Sequence, residues 1–478
     1  MRLTRILGAS TLAALLAVTT ACGGGRGGTT PDTDGDSSSA PTSGGTSQTF
    51  GDMASPCGPA TGTLSTPTGS DASDTQGVTA NTISIGFGDD KGNTLIPGLN
   101  SFVGDAVEAM VKWCNAQGGI NGRQLVGHRY DAALFNTKAV YDKSCSTDFF
   151  LVGDGFAYDD IAEPAREACK MPHIPAFVAS ARAAMAPLTW MAIPGPIDAY
   201  NPSAYEALET LIPGIKSKGI TTLDTDSAPV EDNTAHAVEI YKKLGVDVKK
   251  CSIFVHQAGE TSYAPMAQAL KSCDAGAVYT AYVPGPQIYG FWQAAHQLGV
   301  NMPIIWEAAY EAAVAKWNGK THAADKAYSI VLAEPLENAS VNKAVADYKQ
   351  IVEGNNGETA YLGEMAASSF LLWATAAQQC GDDLTRTCVE ENLSKVHDWT
   401  AGGLQEPTDP GNNMPGKCSI IVQLDGDSWN QVWPEKQGEW GSADGSSCDD
   451  LSTGTMKLDP SLFGVKLDNN RHWVSTSN

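Results

Sequence analysis

The stretch Thr82-Ile83-Ser84-Ile85-Gly86-Phe87, followed by a run in which Val103, Val107, Met110 and Cys114 recur and then by Gly118-Gly119, decides the fold of this chain. The first part is rich in β-branched residues and reads as a strand. The recurrence at three to four residues places one apolar stripe on a helix, and the glycine pair stops it. The same alternation continues along the chain. Strands are expected at 126–130, 149–152, 174–178, 220–223, 252–255, 277–282, 303–306 and 328–332, with helices at 160–170, 235–244, 265–272 and 286–298 among them. Repeated β-α-β units specify an α/β protein with parallel sheets covered by helices, and ligands belong at the carboxyl ends of the strands.

The cysteines fit this frame. There are 11, and setting Cys22 aside leaves an even set without a CxxC pair. Zinc clusters and redox dithiols are therefore poor readings, and structural disulfides in an oxidising compartment are the better one. Arithmetic alone allows roughly 945 pairings, but element ends narrow them. Cys145 and Cys169 each end a helix just before a strand, at one sheet's amino-terminal edge. Cys251 opens a strand and Cys273 closes the next helix. Cys380 and Cys388 flank a polar turn, Cys418 and Cys448 bracket a hairpin, and Cys57 is left for Cys114.

Charge and the chain's first residues place the protein. Arg2 and Arg5 precede the apolar run Ile6 to Val18 and the small residues Thr19-Thr20-Ala21 before Cys22. This reads as a signal peptide, residues 1–21, too short to span a bilayer. The cysteine at the cut resembles the lipobox of bacterial lipoproteins, which implies diacylation of Cys22 and a lipid anchor in the bacterial cell membrane; Thr19 stands where that motif prefers Leu, so cleavage without lipid is the alternative. Residues 22–75, dominated by Gly, Ser, Thr, Pro and Asp, read as a disordered tether. Within it Asp32-Thr33-Asp34-Gly35-Asp36 lacks the remaining ligands of a calcium loop. Loss of Arg2 and Arg5 leaves 29 basic against 54 acidic residues, a balance of −25, which excludes nucleic acid as a partner and suits a solvated, exported surface.

Asn115-Ala116-Gln117-Gly118-Gly119-Ile120-Asn121-Gly122-Arg123-Gln124-Leu125, leading to Tyr130-Asp131, carries a family resemblance. It resembles the type I periplasmic binding proteins, in particular the leucine/isoleucine/valine-binding group of ABC-transporter solute receptors. Val152-Gly153, 172–177, Ala258-Gly259-Glu260-Thr261-Ser262-Tyr263, Gln293-Ala294-Ala295-His296-Gln297-Leu298-Gly299 and the closing strand 419–424 follow in the order of that family. The resemblance implies two Rossmann-like lobes joined by a three-strand hinge, closing over a solute by hinge motion. On this chain it implies crossings near 194–200, 332–336 and 415–417, lobe one at 82–197 plus 333–415, and lobe two at 198–332 plus 416–440. Residues 441–478 are an extension without a recognised counterpart. It further implies an ABC permease as partner, a monomer, and no cofactor.

In that family a Ser or Thr loop after the third strand, a small-residue loop after the fourth, and a tyrosine and an acid from lobe two hold amino acids. The matching positions are Phe156-Ala157-Tyr158, where the hydroxyl is missing, Val178-Ala179-Ser180, which keeps one, Tyr282, and Glu307 beside Ala308. Phe156, Tyr158, Phe177, Tyr282, Trp306 and Tyr310 supply aromatic surface at strand tops, which favours an aromatic or bulky apolar carboxylate over a plain branched-chain amino acid. Phe156 and Tyr282 are expected to face each other across the cleft. Phe177 and Trp306 are equally readable as core. Asp89 and Asp90 in the first strand-helix loop either meet a cationic group or solvate the rim, and Asp226 with Ser227 repeats the idea more weakly.

Signatures of catalysis are missing. The sequence has no GxSxG elbow, HExxH or Walker loop. Gly86-Phe87-Gly88 has its third glycine one residue late for a dinucleotide fingerprint, at Gly92, and reads as a turn. The histidines, His296 included, lack metal spacing. The function expected is a solute receptor of an ABC importer. The alternatives are a ligand sensor for a membrane signalling partner, and an exported enzyme with only unassigned carboxylates such as Asp159-Asp160 and Asp224 with Asp226 to offer.

Overall fold

The family-like stretch closes on itself through a small set of contacts. The computed structural model, which describes residues 48–442, 444–449, 451 and 455–474, has a helix at Ser101–Ala116 that buries Val103, Val107, Met110 and Cys114 on one side. Asn115 then donates to the carbonyl of Leu125 at 2.9 Å and accepts from its amide at 2.7 Å, fastening the helix end to the next strand. Gly119 has φ +80°, and a Cβ there would lie 1.9 Å from the Arg123 carbonyl, so only glycine fits. Arg123 is fully buried and spends its guanidinium on the carbonyls of Ser65, Thr79, Gly381 and Asp382.

Two sheets follow. The first runs Gln124–Asp131, Thr82–Asp89, Phe150–Val152, His173–Ile174, all parallel. The second runs Ser428–Trp433, Ile420–Asp425, Tyr328–Val331, Ile304–Trp306, Ala277–Thr280, Ile220–Asp224, Val248–Phe254. Its last five strands are parallel and the first two form the antiparallel hairpin expected between Cys418 and Cys448. The fourth strand of the first sheet is shorter than the expected 174–178, because Pro175 lacks the amide that would continue the ladder.

Each sheet anchors its own lobe. In lobe one the helix Tyr361–Gln378 is buried almost all round against Ser101–Ala116 and the sheet. Lobe two carries the helices Ala228–Lys243, Ala264–Ser272, Pro286–Gln297 and Ala312–Thr321. The chain crosses between lobes in three places, and the crossings are tied together. Glu334 donates its amide to the Leu404 carbonyl at 2.9 Å. Asn201 and Ser203, at the end of the first crossing, donate to the carbonyls of Cys418 and Lys417, each at 2.6 Å. The Glu406 carboxylate accepts from the Cys418 amide.

The tether expected over 22–75 does not reach that far. Phe50 is fully buried and meets Trp113 edge to face at 6.1 Å. The Gly51 amide donates to Asp347 at 2.8 Å, the Gly58 amide to Gly119, and Asp74 accepts from Ser70 and Thr387. A few isolated anchors dock this Gly/Ser/Pro-rich stretch without any continuous apolar run. Residues 1–47, with the signal peptide, Cys22 and the Asp32–Asp36 fragment, lie outside the described residues.

The disulfides pair as the element ends suggested: Cys57–Cys114, Cys145–Cys169, Cys251–Cys273, Cys380–Cys388 and Cys418–Cys448. The C-terminal extension packs on both lobes. Met456–Lys457 pairs antiparallel with Ala199–Tyr200. Arg471 grips Asp198 with two nitrogens, and Trp473 lies 3.9 Å under the Arg182 guanidinium. Phe463 meets His236 of lobe two edge-on at 5.4 Å. No helix among the described residues is long and apolar enough to cross a membrane.

Candidate functional site

Between the lobes lies a cavity of about 330 Å³, and its walls come from the loops that follow the parallel strands. Lobe one supplies Ala157 after Phe150–Val152, Phe177, Val178 and Ala179 after His173–Ile174, and Met365 from the long helix. Lobe two supplies Ser227 after Ile220–Asp224, Ala281 and Val283 after Ala277–Thr280, and Glu307 after Ile304–Trp306. Tyr200 and Leu332 of the crossings, Ile330 of the adjoining strand and Tyr361 at the start of the long helix complete the lining. This is the place the strand-top rule assigns to a ligand.

Polar side chains interrupt this apolar lining, among them Glu307, Glu311, His236 and several tyrosines. Glu307 opens a 3₁₀ turn directly after its strand and takes a short hydrogen bond from the Tyr279 hydroxyl. Burial pushes its carboxyl above the usual carboxylate range. Glu311, four residues on, is pushed up to about 7 for the same reason. His236 reaches the cavity from the helix Ala228–Lys243, its ring 4.7 Å from Tyr200 and its Nε2 buried without a partner. Burial drives that imidazole down to about 4, so it is neutral at physiological pH. Tyr310 donates to Glu337 and accepts from the Leu336 amide at 2.8 Å, and Tyr361 accepts from the Leu332 amide at 3.0 Å. Both tyrosines thus couple the cavity wall to the second crossing. Among the described residues no Lys, Arg or Asp lines the cavity.

Among the residues singled out in the sequence, Ala157, Phe177, Val178, Ala179, Ser227, Glu307 and Tyr310 line this space. Others build its frame. Asp89 is fully buried and bonds Arg129 at 2.6 and 3.0 Å, and so neither meets a ligand cation nor solvates a rim. Asp90 holds the loop that carries Ala157, accepting from its amide at 2.7 Å and from the Leu134 amide at 2.8 Å. Ser180 caps the short helix Ala181–Ala184 by accepting from the Ala183 amide. Asp226 accepts from the Gln257 amide at 2.7 Å outside the cavity.

The expected aromatic clamp does not form. Phe156 is 1% exposed and packs against Tyr141 in the lobe-one core. Tyr282 is buried in the lobe-two core with its hydroxyl donating to the His256 carbonyl at 3.0 Å. Trp306 is fully buried and donates Nε1 to the Tyr282 carbonyl at 2.6 Å. Tyr158 lies against Phe135, and its hydroxyl accepts from Gln257 of the other lobe at 3.4 Å, at the cleft's edge. Of the aromatics expected at the strand tops, Phe177 and Tyr310 do line the cavity, joined by Tyr200 and Tyr361. Tyr200, Tyr361, His236 and Glu311 escaped the sequence reading because they sit in a crossing, at a helix start, within a helix and past a strand-top turn, with no local motif.

This fold and strand-top cleft are those of a solute-binding protein. The periplasmic binding protein family model matches residues 98–428, and the chain belongs to that family. Its location is accordingly extracytoplasmic and its family binds rather than transforms small molecules. Similar solved structures include the leucine-binding protein LivK of Thermotoga maritima, with 15% identity over 73% of this chain and 97% of that one at a TM-score of 0.58. A fatty acid ABC transporter substrate-binding protein from Thermomonospora curvata has 15% identity, 75% and 92% coverage and a TM-score of 0.59. An ABC transporter solute-binding protein from R. palustris in complex with 4-hydroxybenzoate has 14% identity, 75% and 95% coverage and a TM-score of 0.58. A comparison with curated protein sequences gives no match.

Proposed function

We propose that this chain is the receptor of an ABC importer, tethered to the cell membrane through a diacylated Cys22, and that it captures a bulky, largely apolar organic solute between its lobes by hinge closure. The observation that carries the solute class is the cavity wall, whose lining is mostly apolar, with Phe177, Val178, Met365, Val283, Ile330 and Leu332 among its side chains. Such walls stabilise a ligand mainly by removing apolar surface from water. The carboxylate expected on that solute has no cationic partner in the lining and is dropped from the proposal. Amino acids that need a hydroxyl at position 156 are disfavoured for the same geometric reason, since Phe156 stands there and faces the core.

A thermal-shift screen over aromatic and alicyclic alcohols, amides, amines and acids tests the reading, because a ligand at 100 times its Kd adds about 2.7 kcal/mol. Small-angle X-ray scattering should then show compaction with any hit. Hits confined to free leucine, isoleucine and valine would overturn the solute class. The anchor has its own test: Cys22→Ala should move the protein from the membrane fraction to the medium, and a mutant that stays with membranes after a salt wash refutes it.

A further inference from the structure

We infer that residues 455–474 form a strap, a further and non-covalent crossing between the lobes, in which Phe463 latches the cleft shut. The consequence for solute exchange rests on the interlobe cavity being the solute site; the strap itself does not. The segment runs along the first crossing. Met456–Lys457 adds an antiparallel strand to Ala199–Tyr200, and the Leu458 amide donates to the Asp198 carbonyl at 2.9 Å. Both lobes then hold it. Leu458 is buried in the lobe-two core with Tyr205 and Ile240. Val465 is buried in lobe one among Ala181, Ala184 and Met185. Beyond it the Trp473 amide donates to the Met185 carbonyl at 2.7 Å, and Arg471 reaches the carbonyls of Asn412 and Asn413 as well as Asp198.

The tight point is the step from Phe463 to Val465. Phe463 meets His236 of the lobe-two helix Ala228–Lys243 edge-on, while Val465 is packed into lobe one. Two residues of chain span at most about 7 Å. The lobes therefore part here only if one of the two contacts lets go. They do meet at this place: the Ala181 amide of lobe one donates to the Asp232 carboxylate at 3.4 Å, one turn before His236 on the same helix face. Phe463 is the contact that yields, because its ring is half-buried, whereas Val465 is buried and backed by the Trp473 and Arg471 grips. The latch also reaches the cavity wall from behind. His236 and Val178 both line the cavity, and Val178 packs against the Val465 cluster. A strap that favours the closed angle before any solute arrives removes part of the ordering that binding requires, and it slows solute exit.

Hydrogen exchange and small-angle scattering on the full mature chain, without solute, test the strap. The informative amides are those of 178–182 and of the first helical turn after Ser227, which lie where the lobes meet and have no intrahelical partner. Phe463→Ala should speed their exchange about tenfold and enlarge the radius of gyration, with exchange elsewhere in both lobes unchanged. Phe463→Tyr, which keeps the ring, should behave as the wild type, and so should Leu462→Ala at the exposed neighbouring side chain. Arg471→Ala loosens the strap on its lobe-one side and should speed the same amides. Three outcomes for Phe463→Ala overturn the inference. Unchanged exchange and radius, or a rise confined to 455–474, would show lobes held together without the strap. A rise spread evenly over both lobes with a lower melting temperature would make Phe463 a packing residue only. None of these touches the solute-receptor reading, since no solute is present, whereas a solute screen without a hit would remove that reading and leave the strap.

Discussion

Replacing Glu334 by Gln should stabilise the protein at pH 8 and leave it nearly unchanged at pH 5. Glu334 lies in the second crossing, fully buried, with Asn338 donating to it at 2.7 Å. Burial pushes its carboxyl from the ordinary 4.5 up to about 7. Between those values the unfolded chain has released the proton and the folded chain still holds it, so stability falls as pH rises through this window. The stabilisation is present below pH 4.5 and lost above 7. A rise of that size corresponds to about 3 kcal/mol across the window. Asp159, Glu311 and Glu390 are raised to about 7 as well, so the wild type should melt lower at pH 8 than at pH 5 whatever Glu334 does. The difference between variant and wild type isolates the one group. Thermal melts of both proteins at pH 5 and pH 8 measure it. A difference that is the same at both pH values would refute the argument, because it would show that Glu334 does not titrate in that window.

Phe50→Ala should cost about 3–5 kcal/mol of local stability by emptying the site against Trp113, seen as earlier proteolysis between residue 48 and Cys57, while a variant cleaved no faster than wild type would return that segment to the tether. Gly416→Ala would place a Cβ 2.2 Å from the Glu406 carboxyl carbon, and about 1–3 kcal/mol of destabilisation is expected in urea unfolding. Arg471→Ala removes the two-pronged grip on Asp198, part-exposed on both sides, and should lower stability by about 1 kcal/mol while raising hydrogen exchange over 456–474, with unchanged exchange refuting the grip.

The parts of this structure with a local grammar were legible in advance. Thr82–Asp89 and the Val103/Val107/Met110/Cys114 stripe announce their elements through period alone, and the Asn115–Leu125 stretch carries its turn in its glycines. Cys145–Cys169 and Cys251–Cys273 followed because strand and helix ends share an edge of a sheet, Cys380–Cys388 and Cys418–Cys448 from a turn and a hairpin, and Cys57–Cys114 by elimination. Side-chain direction was the weak point. Phe156 and Tyr282 stand in loops or at strand ends as expected, but one dihedral decides between cleft and core, and each finds a better-packed place inside its own lobe. Tyr200, His236, Glu311 and Tyr361 come from four separate elements, and only the hinge geometry brings them together. The docked residues 48–81 were hidden because single anchors such as Phe50 and Asp74 leave no periodic trace.

The distribution of the disulfides has a mechanical meaning. Cys57–Cys114, Cys145–Cys169 and Cys380–Cys388 all close within lobe one, Cys251–Cys273 closes within lobe two, and Cys418–Cys448 ties the last crossing to the segment beyond the final hairpin. No disulfide runs from the lobe-one sheet to the lobe-two sheet among the described residues. Oxidation outside the cell therefore hardens two bodies separately and leaves the angle between them as the soft coordinate. Apart from the three backbone crossings, the contacts between the lobes are non-covalent, among them the Gln257–Tyr158 hydrogen bond and the edge-on contact of Phe463 and His236. Such bridges can stiffen each lobe without bracing one lobe against the other.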